Sequence, residues 1–218
     1  GKLDSFRVIG GLYAEAVQLI TMDPAIKSVA DLAGKKVSIG ASGSGVYFNA
    51  VDVLQAAGLS VDDIQPQYQS FADSADALKD GKIDAAFIVA GAPTPAIQEL
   101  CTTTDAYLVP IDGAVAGALM EASPYYTTYN IPAETYEGQT EDVTTVTVKA
   151  TLIVSTSASE DDVYNVTKAI FDNVDAITTA HAKGAELSLK NATEGMTAPF
   201  HAGAAKYFAE KNITVETK

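Results

Sequence analysis

Gly40-Ala41-Ser42-Gly43-Ser44-Gly45 places three glycines and two serines between a short apolar run, Val37 to Gly40, and a helical pattern reaching about Ala57. Glycines let the chain turn sharply. The backbone N–H groups of a helix's first turn have no helical partner. Together with the helix dipole they favour an anion, and the Ser42 and Ser44 hydroxyls add donors. The same residues would also serve as a Ser N-cap with glycines for a tight turn, and the sequence alone leaves both roles open. The segment is not a phosphate-binding P-loop, because Val46 and Tyr47 stand where Lys and Ser or Thr are needed. The G-x-G-x-x-G spacing of a dinucleotide fingerprint also fails. Gly91-Ala92-Pro93-Thr94-Pro95 forms a second strand-to-helix turn. Two such turns at the carboxyl ends of parallel strands would face one crevice. Tyr13 and Tyr47 are candidate lining residues, offering rigid apolar area with a polar tip. The candidate ligand residues are therefore Tyr13, Ser42, Gly43, Ser44, Gly45, Val46, Tyr47, Gly91, Ala92 and Thr94.

Catalytic and metal-binding patterns are weak. His181 and His201 stand apart, without Cys or acidic residues at zinc-ligand spacing. No G-x-S-x-G elbow occurs. Cys101, the single cysteine, reads as a buried structural thiol at a helix end. Arg7, the single arginine, could fork onto a carboxylate, but a surface or inter-lobe ion pair is the favoured reading. No catalytic residue, metal or cofactor is expected.

The elements that must position these residues follow from the pattern. Strands are expected at Val17 to Thr21, Lys36 to Gly40, Ile64 to Tyr68, Ile83 to Val89 and Tyr107 to Ile111. Helices are expected after Gly45, over Asp73 to Lys79 and from Pro95 to Cys101. A short helix starts at Ser28, with Asp31 completing a capping box. Strand and helix in alternation predict an α/β class with a mostly parallel sheet covered on both faces. Ser123 to Gly138 reads as irregular, Val143 to Ser155 as a long strand, and the remainder from Ser159 as helical. The order suggests one lobe inserted into another: partial lobe one from residues 1–25 and 146–218, and lobe two from 26–145, joined by two crossing strands.

Composition bounds the function. The 218 residues are 47% hydrophobic and 19% charged, enough for a substantial core. A net charge of −14 disfavours nucleic acid and anionic lipid surfaces as partners. No apolar run approaches the ~20 residues of a membrane span, and no signal peptide stands at Gly1.

Ile26 to Gly40 followed by Ser42 to Gly45, Ala75 to Phe87 running into Ala90-Gly91-Ala92-Pro93-Thr94-Pro95-Ala96-Ile97, and Ser123-Pro124-Tyr125-Tyr126 with Ile131-Pro132-Ala133 together resemble the TAXI-type solute-binding proteins of TRAP (tripartite ATP-independent periplasmic) transporters. The Lys-Ser-x-x-Asp-Leu-x-Gly-Lys piece is shared with many binding proteins; the Gly-x-Pro-Thr-Pro-Ala-Ile combination is more specific. The resemblance spans Leu3 to Ile213. It implies a periplasmic-binding-protein type II-like fold with lobe one incomplete, since family members extend roughly 90 residues further at the front. It further implies an extracytoplasmic receptor that binds a glutamate-, glutamine- or 2-oxoglutarate-like carboxylate or amino acid and hands it to TRAP membrane subunits. An ABC-importer binding protein, a small-molecule enzyme on that fold and a sensing surface protein are the alternatives.

Overall fold

The computed structural model describes residues 4–218. The chain divides into two compact units: Glu15–Val148, and the segment through Ala14 together with Lys149–Lys218. Residues 15–25 thus group with 26–145.

In the unit of Glu15–Val148, strands β2 (Lys36–Ser38), β3 (Gln65–Gln67) and β4 (Ala85–Ala90) run parallel, with Val37 opposite Pro66 on one side and Ala85 on the other. Beside β4 lies β1 (Phe6–Thr21), antiparallel, with Ala16 opposite Ala90 and Thr21 opposite Ala85. On β1 follows β5 (Tyr107–Val109), also antiparallel to it. The sheet path is β3-β2-β4-β1-β7-β6, where β6 is Thr127–Ile131 and β7 is Val143–Ser155, and β5 pairs β1 off that path; β1 is thus reversed against the four parallel strands β2, β3, β4 and β5. Helices α1 (Gly45–Ala56), α2 (Phe71–Lys79) and α3 (Pro95–Thr103) connect the parallel strands, and α4 (Gly113–Ala122) follows β5.

Strand β4 shows why the sheet is covered on both faces. Ala85, Phe87 and Val89 join Val53 and Leu54 of α1 and Leu119 of α4 in one core. Ala86 and Ile88 join Leu78 of α2 and Ile97, Leu100 and Cys101 of α3 in a second. Successive side chains of a strand point to opposite faces, so a strand apolar at every position must be covered twice. Cys101 is buried, and burial raises its thiol pKa above the ordinary value, which holds it in the unreactive form.

The other unit contains helices α5 (Glu160–Phe171), α6 (Val174–Ala180), α7 (Leu189–Thr193) and α8 (Ala202–Glu210). Its core gathers Val8 and Ile9 with Val163, Phe171, Phe200, Tyr207 and Phe208. The segment at Phe200 is tied to β1 by hydrogen bonds from Val8 N–H to the Pro199 carbonyl and from His201 N–H to the Val8 carbonyl. His181 and His201 cap their helices: each Nδ1 accepts a backbone N–H, from Lys183 and Gly203 respectively.

Three expectations are corrected. Strand β1 begins at Phe6, eleven residues before Val17. Its Gly10-Gly11 pair and Glu15 hid the strand pattern, and tertiary packing overrides that low propensity. The supposedly irregular stretch contains β6 (Thr127–Ile131), paired antiparallel with β7 (Val143–Ser155) from Thr127 opposite Thr147 to Ile131 opposite Val143. Pro124 and Pro132 bracket it, which masked five residues of strand composition. Arg7 makes no ion pair among the described residues. Its guanidinium donates instead to the carbonyls of Asp4 and Phe6.

Candidate functional site

The carboxyl ends of β2, β3 and β4 point the same way because the strands are parallel. Each leads into a helix N-terminus: the Ser44 and Ser70 side chains cap α1 and α2, and Thr94 stands at the N-cap position of α3 without a capping bond from its side chain. Ser44 Oγ accepts the Tyr47 N–H at 3.2 Å, leaving its own proton free to donate outward. Ser42, Gly43 and Gly45 are exposed, and Val46 and Tyr47 are partly so. Gly40 turns the chain into this loop with φ +80°, in the left-handed region that glycine tolerates.

The second predicted turn is built differently. Thr94 is buried, and its hydroxyl donates to the Gly91 carbonyl at 3.1 Å and accepts from Gln18 Nε2 at 2.9 Å. Its backbone N–H donates to the Tyr136 hydroxyl at 2.9 Å, and that hydroxyl donates to Gln18 Oε1. Gln18, Thr94 and Tyr136 form a closed, buried network that fixes the Gly91–Thr94 turn. The Thr94 side chain is thereby committed to the protein itself. Replacing Tyr136 by Phe leaves the Thr94 N–H and Gln18 Oε1 buried without partners, which costs about 2 kcal/mol. A urea-unfolding midpoint that does not move would show that the network relaxes freely.

The structure brings the Ser/Gly loop and the Gly91–Thr94 turn to one edge of one sheet. Tyr13 lies on β1 in the other unit. A third loop, Tyr68-Gln69-Ser70, joins them at the same strand ends and was not anticipated. The Tyr68 ring lies 6.2 Å from that of Tyr47, centroid to centroid, and Tyr68 is 51% exposed. Gln69 Oε1 is shielded from solvent and has no hydrogen-bond donor among the described residues. Its signal in the sequence was positional only: it follows a strand, like the two loops that were recognised.

Positive character at this edge comes from backbone dipoles alone, and at α2 it is already met by the Asp73 carboxylate, which accepts from Ser70 Oγ at 2.6 Å. The unit of Glu15–Val148 holds 18 acidic residues against five lysines, a net charge of −13. All five lysines fall within 27–36 and 79–82, the segments leading into β2 and β4, so none stands on the three loops. An anion bound here would be held by N–H and O–H donors alone.

Burial also sets the behaviour of three tyrosines. It raises the pKa of Tyr126, Tyr136 and Tyr207 above the ordinary phenol value. Hydrogen bonds to Asp52 and Asp172 push Tyr126 and Tyr207 further in the same direction. A raised folded-state pKa favours the neutral form, so the stability it contributes is complete below the unfolded pKa of about 10 and is lost as pH rises above it. Absorbance titration at the phenolate band should show these three ionising only with alkaline unfolding. Tyr126→Phe should remove amplitude from that late phase and none from the early one.

An open sheet with one reversed strand and helices on both faces places the protein in the mixed α/β class. The chain belongs to the NMT1-like family, whose model matches residues 1–211. Among solved structures, it is similar to the periplasmic aliphatic sulphonate binding protein SsuA from Escherichia coli. That match has 19% identity and a TM-score of 0.41, covering 95% of this chain and 51% of that one. It is also similar to a putative L-cystine ABC transporter protein from Listeria monocytogenes, with 18% identity and a TM-score of 0.49, covering 80% and 61%. A third similarity is to an ABC transporter periplasmic binding protein from Brucella ovis with glutathione bound, with 11% identity and a TM-score of 0.45, covering 81% and 49%. The chain spans about half the length of the E. coli protein.

Proposed function

We propose that this chain is the solute-capturing part of an extracytoplasmic receptor and that it carries out no catalysis. The observation that carries the reading is the convergence of three helix N-termini on one sheet edge free of lysine and arginine. Such an edge suits the carboxylate of a small solute, held by the backbone N–H groups of α1 and the Ser42 and Ser44 hydroxyls. Tyr47 and Tyr68 offer a flat apolar surface for its carbon skeleton. Gln69 Oε1, an acceptor without a donor among the described residues, suits a solute that also bears an N–H group, as glutamate and glutamine do.

The delivery partner we propose is the membrane component of a TRAP transporter, supported by the Gly91-Ala92-Pro93-Thr94-Pro95-Ala96-Ile97 resemblance. Uptake into vesicles separates this from an ABC importer: drive by an ion gradient without ATP supports it, and a strict need for ATP overturns it.

A thermal-shift screen of the full-length protein against glutamate, glutamine and 2-oxoglutarate tests the solute class, because a ligand of the native state raises Tm by mass action. Ser44→Gly keeps a residue favoured at an N-cap and removes the hydroxyl. It should weaken binding about tenfold by calorimetry, the size of one hydrogen bond to a charged group. Unchanged affinity would take Ser44 out of the site.

A further inference from the structure

A groove lies between α1 and α4, away from the Ser/Gly loop. It encloses about 360 Å³ over a floor of Ala56, Ala118, Leu119 and Ala122. Its wall is a fixed carboxylate: the buried Tyr126 hydroxyl donates to Asp52 Oδ2 at 2.8 Å and accepts from Asn49 Nδ2 at 2.7 Å. Among the described residues Asp52 has no cationic partner. Two large apolar side chains close in the chain to its lining residues are exposed: Phe48, one turn before Asp52 on α1, is 59% exposed, and Tyr125, next to Tyr126, is 60%. Exposed aromatics beside a polar rim mark protein-contact surfaces rather than ordinary solvated faces.

Charge says which kind of partner fits. From Ile83 to Val148 there is no lysine or arginine, and α1 has none either, so α1 and α4 bring acids and no cation to this face. A second copy of this chain would bring its own excess of negative charge to the contact. We propose that the α1–α4 groove is a docking surface for a different protein, one that inserts a lysine or arginine. The methylenes of that side chain lie over the alanine floor and its cation sits on Asp52. The aromatic rim then covers the neighbouring apolar residues of the same partner segment.

The probe is a fluorescein-labelled amphipathic helical peptide of leucine, alanine and arginine, read by anisotropy against the full-length protein. A glutamate-for-arginine version serves as control. The arginine peptide should bind and the glutamate peptide should not. Asp52→Asn keeps an acceptor for Tyr126 and should weaken binding about three- to fivefold, the size of a half-exposed ion pair. Ala118→Trp should fill the groove and weaken binding at least about tenfold. Asp105→Asn, an equal charge change elsewhere on the same unit, should leave binding unchanged, and all three variants should keep the wild-type thermal shift with solute. The proposal is overturned if the peptide does not bind. It is also overturned if Asp105→Asn acts as strongly as Asp52→Asn, which would mean diffuse acidity, or if Ala118→Trp has no effect. Sedimentation showing a dimer that Ala118→Trp dissolves would assign the groove to a second copy and equally overturn it.

Discussion

Replacing Gly40 by alanine should destabilise the protein by about 3 kcal/mol and weaken solute binding at least about tenfold. Two causes act together. At φ +80° an L side chain meets its own backbone, at about 1–2 kcal/mol. The added Cβ would also lie 2.7 Å from Val46 Cβ and 3.0 Å from Ser44 Oγ. Val46 Cβ is fixed to the first turn of α1 and cannot swing away as the tip of a long side chain could. Relief has to come from moving that turn, and with it the N–H groups and the Ser44 hydroxyl proposed to hold the carboxylate. Calorimetry and urea unfolding read the two effects separately. A variant as stable as the wild type, with unchanged affinity, would remove the loop from the solute site.

The second large effect is confined to stability. Gly203→Ala should cost about 4 kcal/mol, because at this point α8 packs backbone to backbone against α5. A Cβ on Gly203 would stand 2.2 Å from the Glu160 carbonyl oxygen and 2.7 Å from the Tyr164 nitrogen. Neither atom belongs to a movable side chain, so the helices must separate. That loosens the cluster of Phe171, Phe200, Tyr207 and Phe208, whose rings lie 5.7–6.3 Å apart in the stacked, tilted and edge-on pairs joining them. Calorimetric melting of wild type and variant checks this directly. An unchanged Tm would mean that the helices separate at little cost. Gly40 lies in the other compact unit, so the two losses should be nearly additive in the double variant.

Much of the architecture was legible because local pattern and final burial agree. The run Ala85 to Ala90 is apolar at every position, so it could only be a strand covered on both faces. Ser44, Ser70 and Ser159 each precede a helix and each accept a backbone N–H of its first turn, a short-range geometry that sequence spacing displays. Glycine marked the turn into the Ser/Gly loop for the same reason: its special φ is a local demand.

What escaped was decided by partners distant in the chain. Thr94 looked like an outward-facing ligand group. Its hydroxyl is taken by Gln18, 76 positions away, and its N–H by Tyr136. Tyr68 and Gln69 carry no motif and enter the candidate site only because β3 lies parallel beside β2, bringing Tyr68 against Tyr47. Arg7 appeared destined for an acid and instead binds nearby carbonyls. Strand β6 required β7 alongside it before its five residues became a ladder.

The amino-acid order by itself determined the α/β alternation, the helix starts and the acidic balance, since each depends on residues within a turn or two of one another or on a simple sum of charges. Only the tertiary structure decided which hydroxyls face outward, which loops share an edge and which carboxylate is left without a cation. Those outcomes depend on strand register and on contacts between residues tens of positions apart, for which the local pattern carries no energy term.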